Sequence, residues 1–120
     1  MTGQAEISGS IITTPTPDAT VVRLAGEIDG ARRNEASQAL STSLRRQLPV
    51  VLDTSKVTSI DSTGLAFLIQ CGSVGRSQGI PVSLPRPPAQ VSDLLAVLGA
   101  DSLFDDAPVL QGSGTSRRRS

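Results

Sequence analysis

A single small α/β domain, a mixed β-sheet with helices packed on it, is the fold class that this sequence predicts. Three observations point there. The chain has 120 residues, enough for one hydrophobic core and too few for two. Val50, Val51 and Leu52 form a short, wholly apolar run, the pattern of a strand covered on both faces. Helical stripes alternate with strand patterns along the chain, the order of β-α-β units.

Each element can be justified in turn. Ile7, Ile11 and Ile12, then Val21, Val22 and Leu24, are apolar runs separated by a Thr/Pro cluster at Pro15, Pro17 and Asp18, which predicts a hairpin. Gly26 should close its second strand. Ala36, Leu40, Leu44 and Leu48 recur at i, i+4 with Ala39 between them, the stripe of a helix lying on a sheet, and Pro49 stops it. Val50 to Leu52 should then form a central strand with Asp53 as its polar end. From residue 61 to residue 79, Asp61 or Ser62 can cap a helix. Its apolar arc holds Leu65, Phe67, Leu68, Ile69, Cys71 and Val74, while Ser62, Ala66, Gln70, Ser73 and Ser77 share a small, polar strip. Gly79 ends this helix. Ile80, Val82 and Leu84 alternate as a strand, and Pro85 to Pro88 turn the chain. Val91, Leu94, Leu95 and Leu98 make a third helical stripe stopped by Gly99, and a last short strand is expected through Leu103 and Phe104. The order is ββαβαβαβ, in which strands three and four are a parallel pair joined by a right-handed crossover. Residues 1–5 are expected to be an extension, 6–108 the domain and 109–120 a disordered Gly/Ser-rich tail.

Composition removes several chemistries. The chain has no His, Trp or Tyr and one Cys, so imidazole catalysis, zinc sites and intrachain disulfides are excluded, and no metal and no cofactor is expected. Cys71 lies on the apolar arc without a base beside it, so a small buried hydrophobe is the expected role. Glu27 with Asp29, and Asp105 with Asp106, read as solvated acids rather than a catalytic pair. Net charge is zero, but apart from Arg117, Arg118 and Arg119 there are only eight basic residues against eleven acidic ones. That balance, with only Phe67 and Phe104 as aromatics, argues against nucleic acid as a direct partner. No run is long enough to insert in a membrane, and the N-terminus lacks the pattern of a signal peptide, so a cytoplasmic location is expected.

Ser62 stands out. With Asp61 serving as cap, its hydroxyl begins the polar strip, beside Thr63 and Gly64, where a phosphoryl group would add about −1.5 to −2 charge. Three segments, Gly26-Glu27-Ile28-Asp29, Val50-Val51-Leu52-Asp53 and Ile60-Asp61-Ser62-Thr63-Gly64-Leu65, resemble the STAS domain of bacterial anti-sigma factor antagonists. The resemblance runs from about Ile7 to Phe104 and is most specific at Asp61 to Leu65. It implies a partner switch. The unphosphorylated protein binds an anti-sigma factor with a serine kinase fold, that kinase phosphorylates Ser62, and a PPM-type phosphatase reverses the change. Asp29, Asp61, Ser62, Thr63, Gly64, Ala66 and Gln70 would form the partner surface. Ala66 stands where the family commonly has Gly, and the amphipathic C-terminal helix of many members looks reduced here. Gly64 to Leu68 and the short C-terminus also resemble the STAS subunit of phospholipid-trafficking ABC transporters, which docks on an ATPase.

Overall fold

Thr20, Val22 and Leu24 are each at most 1% exposed, with half-buried or exposed residues between them, the period of two that a strand with one well-covered face imposes. The computed structural model of the chain describes residues 9–105. Ile7 and the expected extension and tail lie outside the described residues. β1 (Ser10–Pro15) and β2 (Thr20–Ile28) form the predicted antiparallel hairpin, in register from Ser10 opposite Ala25 to Pro15 opposite Thr20. The chain then passes through a short 3₁₀ turn (Gly30–Arg32) into α1 (Arg33–Arg46), β3 (Val50–Ile60), α2 (Ser62–Gln78), β4 (Val82–Ser83) and α3 (Ala89–Val97).

The four strands lie in the order β1-β2-β3-β4, and both the β2/β3 and β3/β4 pairs are parallel. Two successive right-handed crossovers that step the same way across a sheet put their helices on the same face. α1 and α2 are therefore neighbours, and the groove between them is a consequence of strand order. Leu52 of β3 and Leu68 of α2 are both 0% exposed and share one core with Val22, Leu24, Val91 and Leu95.

Among the described residues four polar ones, Thr20, Ser43, Thr54 and Ser83, are buried with it, and the hydroxyls of all but Thr54 have hydrogen-bond partners. Thr54 on β3 is fully buried, and its hydroxyl has no hydrogen-bond partner among the described residues. A buried, unpaired hydroxyl costs free energy that a methyl of similar size does not. Thr54→Val should accordingly raise the urea midpoint, by a stability gain of about 1 kcal/mol. A lower midpoint would mean that the hydroxyl is bonded in solution.

Several expected boundaries move. α1 ends at Arg46 because Gln47 turns left-handed (φ 60°) and caps it, so Leu48 is outside the helix. β2 continues past Gly26 to Ile28, with a register irregularity against β3 between Gly26 and Glu27. β3 is eleven residues long rather than three. Asp53 does not end it: its carboxylate accepts from the Ser55 N–H (3.0 Å) and hydroxyl (2.7 Å), and these bonds hold its pKa below the usual carboxylate value. On α3 only Val91 and Leu95 are buried. Leu94 and Leu98 are 39% and 58% exposed, so the stripe is narrower than its apolar pattern. The last strand is replaced by a 3₁₀ turn (Asp101–Leu103) and a single parallel bridge of Ser83 with Asp105.

Candidate functional site

Ile28 and Ile60 are register partners at the ends of β2 and β3, so Asp29 and Asp61, the residues that follow them, leave the same end of the sheet side by side. The Asp61 N–H donates to the Ile28 carbonyl at 3.1 Å, tying the two strand ends together. Asp61 is extended (φ −105°, ψ −171°) and its Oδ1 accepts from the Gly64 N–H at 3.1 Å, the geometry of an N-cap. Asp29 does the same for the 3₁₀ turn, accepting from the Ala31 N–H at 3.0 Å. Both carboxylates are thereby committed to backbone N–H groups.

With Asp61 as the cap, Ser62 is released. It is the first residue of α2, is exposed, and its hydroxyl makes no hydrogen bond among the described residues. Ala66 and Gln70 follow one and two turns further along and are exposed as well, while Thr63 is half-buried. Gly64, unlike the exposed members of this set, is buried. A Cβ there would stand 2.6 Å from Ile60 Cγ1 and 2.8 Å from the Ile28 carbonyl oxygen, so glycine is what lets the start of α2 press against the strand ends. Its close approach to Ile28 and Ile60 helps set where Ser62 stands.

Ser62, Thr63, Ala66 and Gln70 line one wall of a groove of about 740 Å³, with Phe67 beneath them. α1 supplies the other wall through Arg33, Ser37, Leu40, Ser41 and Leu44. The groove is thus apolar at depth and polar at its rims, and small side chains on both rims leave the backbone open to close approach by a partner, with little side-chain entropy lost.

A family model described as "Mlab, STAS domain" matches residues 12–110. The chain belongs to the STAS domain family. Solved structures with a similar fold include an anti-sigma factor antagonist from Mycobacterium paratuberculosis, 24% identical, with a TM-score of 0.66 over 87% of this chain and 89% of that one. The anti-sigma factor antagonist SpoIIAA in its unphosphorylated form is 18% identical, with a TM-score of 0.67 over 82% and 88%. The Bacillus cell fate determinant SpoIIAA in the phosphorylated form is 17% identical, with a TM-score of 0.66 over 82% and 91%. At these identities they establish the shared fold. No match is found among curated proteins.

Cys71 faces the core from the buried side of α2, and burial pushes its thiol up to about 12, where a nucleophilic thiolate is not populated at neutral pH. Among the described residues there is no group of three or more His, Cys, Asp and Glu residues able to hold a metal, and no helix long and apolar enough to cross a membrane. The α1 wall is what the sequence reading missed. The i, i+4 stripe predicts Leu40 and Leu44 against the sheet, yet each is only half-buried and lines the groove. The recurrence of Ser37 and Ser41 at i, i+4 beside that stripe was the available signal.

Proposed function

We propose that this STAS domain is an anti-sigma factor antagonist that docks on a kinase-like anti-sigma factor through the Ser62-Ala66-Gln70 strip and the neighbouring Asp29 turn, and is switched off by phosphorylation of Ser62. The observation that carries this reading is the division of labour at the start of α2. Asp61 satisfies the helix terminus, which leaves an exposed serine hydroxyl with no structural task on the rim of a groove. The likeness of fold to anti-sigma factor antagonists, one of them solved in both unphosphorylated and phosphorylated forms, supports it. In this reading the domain has no turnover of its own and works in the cytoplasm, and a PPM-type phosphatase restores the active form.

The switch has a simple electrostatic basis. A phosphoryl group on Ser62 disturbs the fold little, because a helix N-terminus tolerates negative charge. A partner covering that site would have to strip water from a dianion lying next to Asp61, which is costly. Capture of partners from the native cells, followed by incubation of the complex with ATP, tests the proposal. One phosphate should appear on Ser62. Ser62→Ala should abolish it and keep binding, and Ser62→Asp should weaken binding with the melting temperature unchanged. Phosphate mapped to Thr63 alone would defeat the residue assignment.

A second reading is favoured by the "Mlab" description of the matching family and by the resemblance of Gly64 to Leu68 to the transporter STAS subunit. Here the same groove would dock on the ATPase of a phospholipid-trafficking transporter. The same capture experiment separates the two, since this reading expects an ATPase as the bound protein and no phosphate on Ser62.

A further inference from the structure

We infer that Arg33 is the internal counter-charge for a phosphoryl group on Ser62, so that modification draws an ion pair across the mouth of the α1–α2 groove; this rests on Ser62 being the modified residue. Arg33 is the first residue of α1 and Ser62 the first of α2, and both helices start from the same end of neighbouring parallel strands. Both residues line the same groove, and Arg33 is the one charged residue among its described lining residues.

Arg33 is also free to act. It is exposed and forms no ion pair among the described residues, whereas the adjacent Arg32 is held by Glu35 at 3.0 Å and by the Gly9 carbonyl at 2.9 Å. The other charged groups at this end of the sheet are the Asp29 and Asp61 carboxylates, the exposed Glu27 one residue before the end of β2, and the Arg32–Glu35 pair. A phosphate on Ser62 would therefore meet carboxylates and one uncommitted cation. Packed helix axes lie about 8–10 Å apart, a gap that an arginine stem can bridge, and the guanidinium fork matches phosphate oxygens in pairs. The pair would occupy the groove mouth and remove Arg33 from contact with any partner, which gives phosphorylation a second way to block docking besides the burial of charge.

The test needs neither kinase nor partner. Phosphoserine is placed at position 62 of the full chain during translation, and the second ionisation of the phosphate is followed by phosphorus NMR. Arg33→Gln should raise that pKa by about 0.5 unit, the size expected for losing an exposed ion pair, and Arg33→Lys should restore most of the difference. Raising the salt to about 1 M should shrink the gap. A titration within about 0.1 unit of the parent for Arg33→Gln would overturn the inference, since a solvated phosphate keeps its ordinary second pKa near 6. A phosphorylated chain that shows the shift yet binds its captured partner as well as the unmodified one would instead sink the switch and leave the ion pair standing.

Discussion

Leu52→Ala should lower the unfolding free energy by about 2 to 5 kcal/mol, seen as a fall in the urea midpoint at unchanged slope. The side chain is fully buried and sits on β3, which is paired with β2 on one side and β4 on the other. The space it vacates is lined by other buried core side chains, which can relax only partly, so the cost should lie toward the upper part of that range. For a domain of this size each kcal/mol corresponds to about 4–8 °C in melting temperature, so a drop on the order of 10 °C or more is expected. Val97→Ala, at a residue 81% exposed on α3, is the matched control and should change stability by less than about 0.5 kcal/mol. Equal effects from the two substitutions would mean that the core is not centred on β3.

Ala66→Arg should weaken partner binding by about 100-fold, near 3 kcal/mol, while leaving the melting temperature within a degree or so of the parent, since Arg is almost as good a helix former as Ala. Ala66 is exposed one turn after Ser62 and lines the groove between α1 and α2. A long cationic side chain there would fill the space a partner needs and add charge opposite Arg33, the groove's existing cation. Titration calorimetry with the captured partner gives the affinity, and thermal unfolding gives the control. Because both proposed functions use this groove, unchanged affinity would reject the surface under either of them.

What the sequence determined by itself is what local chemistry specifies. The start and end of α2 at Asp61 and Gly79, its apolar arc, with Leu65, Phe67, Leu68 and Cys71 buried and Ile69 and Val74 half-buried, and its exposed strip of Ser62, Ala66, Gln70, Ser73 and Ser77 follow from cap residues and a period of 3.6, and the structure has them in place. The antiparallel hairpin and the parallel β3/β4 pair were legible for the same kind of reason, since a proline-rich turn and a helical crossover leave few alternatives. Tertiary structure decided the rest. β3 runs through Asp53, Ser55, Lys56, Thr58 and Ser59 because β2 lies alongside it as far as Ile28 and supplies backbone partners, which no side-chain pattern announces. α3 buries Val91 and Leu95 but leaves Leu94, Val97 and Leu98 in water, because only the narrow line of contact with the rest of the domain is covered. The approach of Arg33 to the wall that carries Ser62 is likewise a product of strand order. Twenty-nine positions separate the two residues in the chain, and only two crossovers of the same hand bring them to one groove.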